Sequence, residues 1–184
     1  MSITSTPTLA VPTGTWNVDP VHSSAGFRVR NMGIVTVTGF FPDFEGSFEV
    51  DGDRLRAHGS AKTATINTRS EKRDEHLRAA DFFDAENHPE ITFESTGFSP
   101  LGEDRIRVAG DLTIKGITKP VEFDATIHGT TDDPWGNERV GVEAVAEIDR
   151  RDFDLNWDVK TPGGVPLASY KVKIQLHLGA VKAA

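Results

Sequence analysis

The chain has 184 residues, a formal net charge of -8 and a pI near 5.2. Length sets an expectation of about one domain, large enough to bury its own core without covalent staples. Cysteine is absent, which excludes a disulfide framework, a zinc ribbon, an iron–sulfur site and a thiol nucleophile. The acid excess, with nine acids and three bases between Asp132 and Asp158, argues against nucleic acid and anionic membrane surfaces as partners.

The N-terminus lacks the basic and apolar regions of a secretory signal. No apolar run approaches the ~18 residues of a membrane span. The chain as written reads as soluble and cytoplasmic. Residues 1–13 read as a flexible polar tail with little to pack, and residues 14–184 as a single domain.

From Trp16 onward the apolar pattern has a period of two. Ala25, Phe27 and Val29 alternate with Gly26, Arg28 and Arg30. Ile106 to Ile114, Val121 to Ile127, Val140 to Ile148 and Tyr170 to Leu178 repeat that pattern. Strands put successive side chains on opposite faces, so each segment carries one apolar and one wet face, the mark of antiparallel pairing. The predicted strands are 14–19, 22–30, 34–40, 44–50, 54–66, 90–98, 104–115, 120–130, 137–149 and 166–179. Gly, Pro and Asp punctuate between them. Long strands joined mostly in sequence predict an all-β, up-and-down antiparallel barrel, with a two-sheet sandwich as the rival.

Two stretches break the period. Residues 69–79 predict one short surface helix, capped by Thr68 or Ser70, with Thr68 and Glu71 as a capping box and Asp74–Arg78 as an i,i+4 pair. Leu77, then Phe82 and Phe83, would pin it as a strap. The second break, Arg150 to Asp158, is a helical turn or a bulged corner.

Motifs for chemistry are missing. No Gly-rich phosphate loop and no G-x-S-x-G elbow occurs, and no two of the six histidines stand at H-x-H, H-x-x-H or H-x-x-x-H spacing. No metal, cofactor or catalytic residue is assigned. His22 and Ser23 would point to opposite faces of a regular strand. Arg69 and Arg73 suit an anionic head group, or ordinary surface ion pairs. The apolar face mixes large side chains with very small ones: Ala25, Gly59, Ala61, Gly110, Ala125, Ala144 and Ala146. Either they leave a hollow that must be occupied, or they offset bulky Phe in the facing layer and the core closes.

Several runs resemble YceI-like proteins: Asp19-Pro20-Val21-His22-Ser23, Arg73-Asp74-Glu75-His76-Leu77, Asp81-Phe82-Phe83-Asp84, Pro89-Glu90-Ile91-Thr92-Phe93 and Leu112-Thr113-Ile114-Lys115-Gly116. The resemblance covers roughly residues 14–179. Asn31 stands where many relatives have His. The resemblance implies a lipocalin-like barrel around an apolar tunnel that binds a polyisoprenoid or similar long-chain lipid without catalysis, and it tips the lumen toward open.

The expected lining is Phe27, Phe44, Phe48, Phe82, Phe93, Leu112, Ile114, Phe123, Ile127, Phe153, Val172 and Ile174. Arg69 and Arg73 are expected at a head group, and Phe82 and Phe83 as an entry gate. The rival from another class is an enzyme on an apolar substrate, which would need His22, His58 or Tyr170 facing inward. Trp135 beside an acidic turn marks a surface for a homodimer.

Overall fold

A computed structural model describes residues 9–184. Ten strands follow in order: β1 (Gly14–Val18), β2 (Ser24–Asn31), β3 (Val35–Phe40), β4 (Phe44–Asp51), β5 (Arg54–Lys62), β6 (Glu90–Pro100), β7 (Arg105–Ile114), β8 (Ile117–Asp132), β9 (Glu138–Asp149) and β10 (Lys171–Lys182). One α-helix, α1 (Glu71–Arg78), lies between β5 and β6.

Every pairing is antiparallel, and β1 to β10 closes the ring. The ten segments make eight staves, because two staves are broken. Both β1 and β2 pair along β10, through Ala180–Lys182 and Lys173–His177 respectively. The turn Pro20–His22 separates them. Their neighbours β4 and β3 form the matching broken stave. Closure removes most of the edge that strands of ten to sixteen residues would expose. The barrel reading therefore holds and the sandwich does not.

The strand bounds differ from the sequence expectation where side chains claim the backbone. β5 stops at Lys62 because Thr63, fully buried, turns the chain and donates its hydroxyl to the His88 carbonyl (2.8 Å). β10 begins at Lys171 rather than 166. The carbonyls before it are taken: Leu167 accepts from Met32 N–H, and Ala168 and Ser169 accept from the Arg150 guanidinium. The predicted break at 150 is a short 3-10 turn, Arg150–Phe153, that ends on Asp154 in the left-handed region (φ 58°).

The helix is capped by Ser70, whose Oγ accepts from Arg73 N–H. The Thr68–Glu71 box and the Asp74–Arg78 pair do not form. Asp74 is buried instead, and its Oδ1 accepts from both the N–H (2.8 Å) and the hydroxyl (2.5 Å) of Thr68.

One end of the barrel carries the β4–β5, β6–β7 and β8–β9 turns. Its core is Trp16, Val50, Ile127, Val140 and Ala180, joined by Leu9 and Val11. Residues 1–8 of the expected tail lie outside the described residues, but residues 9–13 are no loose tail. Leu9 and Val11 are both 7% exposed, and Pro12 accepts from the Trp16 indole N–H at 3.0 Å. The two apolar side chains sit at i and i+2 on a segment too short to show a period. At the other end, Leu112, Ile114, Ile148, Phe153 and Leu155 pack with Phe83, Ile91 and Val172.

Candidate functional site

The inward faces of the staves do not meet. They enclose a cavity of about 470 Å³ that runs from Leu9, Val11, Val50 and Leu55 at one end to Thr68, Arg73, Trp157 and Leu167 at the other. Most of its wall is aliphatic and aromatic. Of the small residues, Ala25, Gly59, Ala61, Ala125 and Ala144 lie on the wall and leave space. Ala125 and Ala144 are cross-strand partners, so a shallow pair faces the lumen in mid-barrel.

Gly110 serves the other purpose. A Cβ there would come within 2.4 Å of the Phe93 ring, so Gly110 seats a large side chain rather than opening a hollow. Gly39 does the same for Phe27, with 2.2 Å to its ring. Phe93 then meets Phe123 edge-on at 5.2 Å, a favoured aromatic geometry. Small residues thus do both jobs the alternation allowed.

The structure places Phe27, Phe44, Phe48, Phe82, Phe93, Leu112, Ile114, Phe123, Ile127, Val172 and Ile174 on this wall, together with Arg73. Phe153 and Arg69 are not there. Phe153 is 1% exposed and packs behind Leu112 and Ile114, as the anchor of its turn. Arg69 is exposed in the left-handed region (φ 66°).

The wall residues outside the expected lining are of two kinds: apolar strand residues such as Val29, Val50, Leu55, Ile106, Val108 and Val142, and, from helix α1 and the irregular chain where no period of two guides the eye, Thr68, His76, Leu77, Arg150, Leu155, Trp157, Leu167 and Ala168. Trp157, His76 and Phe82 form a mutually packed trio, with ring centroids 5.1–5.5 Å apart. Phe83 abuts Phe41 edge-on at 5.8 Å. These rings and α1 cover the polar end.

The polar groups at that end are held in place by fixed bonds. Arg73 donates through Nε to Thr68 Oγ1 and through Nη2 to the Thr68 carbonyl, both at 2.7 Å. Arg150 is 4% exposed and donates to the carbonyls of Leu155, Ala168 (2.9 Å) and Ser169 (3.1 Å). Burial pushes the Arg150 guanidinium down from its ordinary range. Neither arginine forms an ion pair among the described residues. His76 Nε2 lies 2.7 Å from Asp81 Oδ2, and that contact holds the Asp81 carboxyl below the usual carboxylate range.

His22, His58 and Tyr170 stand apart from one another. His22 is exposed and bonds Asp19 (2.7 Å), while Ser23 exchanges hydrogen bonds with the Gly179 backbone. His58 is exposed and bonds Ser47 across the β4–β5 ladder, and both residues border the cavity. Tyr170 shares the parity of the apolar face but sits at the rim. Its hydroxyl donates to Asp158 (2.9 Å), and its ring lies under Arg151 at 4.0 Å.

Comparison with known proteins agrees with this architecture. Protein YceI of Escherichia coli is 38% identical over 141 residues, which cover 75% of this chain and 73% of the relative. The crystal structure of Burkholderia cenocepacia BcnA superposes with a TM-score of 0.77 at 22% identity, covering 88% of this chain and 98% of that one. A polyisoprenoid binding domain from Saccharophagus degradans superposes with a TM-score of 0.70 at 16% identity, covering 91% and 98%. The model of the YceI-like domain matches residues 16–180, and with that match across nearly the whole barrel the chain belongs to the YceI-like family.

Proposed function

We propose that the protein binds a long-chain isoprenoid or similar amphiphilic lipid in its barrel and carries or sequesters it without catalysis. One observation carries the reading: a continuous apolar cavity that ends in polar groups at one end only. A hydrocarbon chain gains about 0.8 kcal/mol per buried CH₂. The blind end, stopped by Leu9, Val11 and Trp16, would take the tail, and the end bearing Thr68 and Arg73 the head. The Saccharophagus degradans domain of the same fold, described as polyisoprenoid binding, supports the ligand class. The family membership supports a binding protein.

The test is organic extraction of the purified protein followed by mass spectrometry. Intact lipid near one per protein is the expected result, and an empty extract from a freshly purified, folded protein overturns the reading. Products of turnover would favour an enzyme on an apolar substrate. Phe82→Ala with Phe83→Ala removes the rings covering the polar end, and the expected outcome is faster release of a fluorescent polyprenyl probe. Release at the wild-type rate would remove the gating role from these rings.

A further inference from the structure

Two hairpin tips lie side by side at the rim of the cavity. The β2–β3 turn closes with Ile34 N–H donating to the Asn31 carbonyl (3.1 Å), and Met32 and Gly33 both have positive φ (52° and 75°). Asn, Asp and Gly are favoured in such turns, and a bulky residue at positive φ is uncommon and strained. Met32 stands there nonetheless, 41% exposed.

The second tip is the turn around Gly163 and Gly164, bracketed by the Lys160–Pro166 bridge. Leu167 ties the two together: its carbonyl accepts from Met32 N–H (3.0 Å) and from Asn31 Nδ2 (3.1 Å), and its N–H donates to the Val159 carbonyl (2.8 Å). Val165 lies against Gly33. Ile34 (74% exposed), Val35, Val159 and Val165 thus join Met32 in one uncovered apolar patch. Patches of this kind mark protein or membrane contacts.

The charge beside the patch points to its partner. Arg28 and Arg30 of β2 and Lys171 and Lys173 of β10 are exposed on the outer wall just below, with Arg28 and Lys173 directly paired across the ladder. None of the four takes part in an ion pair among the described residues. Their cross-strand acids are Glu147 and Asp149, and Asp149 is already held by Arg151. Four cations outside any ion pair, two of them facing Glu147 and Asp149 across the ladder, stand under an apolar tip in a chain of net charge -8, a local feature and not an expression of composition. The chain-wide acid excess, read from composition as unfavourable to anionic surfaces, does not describe this flank.

We propose that this tip docks on an anionic phospholipid bilayer, with the apolar side chains in the interface and the cations against head-group phosphates. Asn31, Leu167 and Ala168 belong both to this tip and to the cavity wall, so docking sets the rim of the cavity against the membrane. The inference draws its purpose from the lipid-binding reading, but its test does not use the cavity.

The experiment is co-sedimentation of the full chain with phosphatidylcholine vesicles, with and without phosphatidylglycerol. Binding is expected to be at least about ten-fold stronger with phosphatidylglycerol and to weaken as salt shortens the screening length. Ile34→Asp should abolish it. Arg28→Gln with Lys173→Gln should weaken it about 25-fold, roughly five-fold per cation lost. Circular dichroism on these exposed positions checks that the barrel is intact. Equal binding to both vesicles, or variants that bind as the wild type does, would overturn the proposal. So would sedimentation velocity showing a dimer that Ile34→Asp dissolves, because a second copy would then be the occupant. A protein that sediments but yields no lipid on extraction leaves docking in place and removes the carrier. The reverse pattern removes docking alone.

Discussion

The two ends of the barrel are covered in different ways. At one end the strands turn back through short hairpins, and the opening is filled from within by Trp16, Leu9 and Val11. Trp16 is fully buried, stacks near Phe48 at 6.3 Å and has its one polar atom satisfied by Pro12. At the other end the strands stop short, and irregular chain is drawn over the lumen. Helix α1, the segment with Phe82 and Phe83, and the stretch from Arg150 to Tyr170 are pinned there by Asp74, Arg73 and Arg150. The first cover is a piece of core. The second is a set of parts tied by a few polar bonds, and parts tied that way can open without unfolding the staves.

The contrast is sharpest in stability. Trp16→Ala should cost about 3–5 kcal/mol in urea unfolding, the range for removing a large buried aromatic. Asp74→Ala should cost less, about 1.5–3 kcal/mol, because it removes two hydrogen bonds to a charged acceptor and leaves the Thr68 N–H unpaired. Hydrogen exchange separates the two further. Trp16→Ala should raise exchange across the whole barrel, and Asp74→Ala chiefly in residues 66–85. Equal global exchange in both variants would mean that the two ends are energetically alike.

The middle of the barrel is tested by filling it. Ala144 lies on the cavity wall opposite Ala125. In a packed core Ala144→Phe would strain its neighbours by about 1–3 kcal/mol. Over a hollow the ring has room, so the expected shift in unfolding free energy is under about 1 kcal/mol, while retained lipid falls at least about ten-fold. A large loss of stability with lipid content unchanged would contradict the cavity at this position.

How much of this could be read from the residues follows from where periodicity applies. Val121, Phe123, Ala125 and Ile127 alternate with polar neighbours, and the structure puts Phe123, Ala125 and Ile127 on the cavity wall. Parity fixes the face but not the depth. Gly110 is in phase with the apolar residues of its strand, as Ala125 is in its own, yet it disappears under Phe93, and only the identity of its diagonal neighbour decides which. Phe153 and Trp157 flank one corner, and a four-residue turn decides that the first anchors and the second lines. Of the covers, the helix and the Phe82–Phe83 segment after it are legible as a strap, and the remaining pieces are not. Leu9 and Val11 precede the first strand, and Arg150 and Thr68 act through backbone carbonyls and a neighbouring carboxylate that leave no spacing signature.

Electrostatics offers the smallest difference. At the filled end Arg139 bridges Asp19 (3.0 Å) and Asp133 (2.7 Å). The His22 imidazole, then Arg139, hold the Asp19 carboxyl down at about 2. The Asn137 backbone N–H, ahead of Arg139, holds Asp133 well below the carboxylate range. At the open end Arg151 holds Asp149 at about 2. A carboxyl depressed in the folded state adds stability that is fully present above its unfolded value and is lost as pH falls through its folded one. Both ends should therefore loosen as pH falls from about 4 toward 2. Arg139→Gln should leave the melting temperature at pH 7 within a few degrees and make the acid decline shallower, since Asp19 moves back toward its ordinary value while His22 still holds it in part. Arg151→Gln should flatten the same window through Asp149. If Arg139→Gln left the slope between pH 4 and 2 unchanged, the filled end would owe its acid sensitivity to His22 and the Asn137 backbone alone, and the bridge across Arg139 would be a surface contact of no thermodynamic weight.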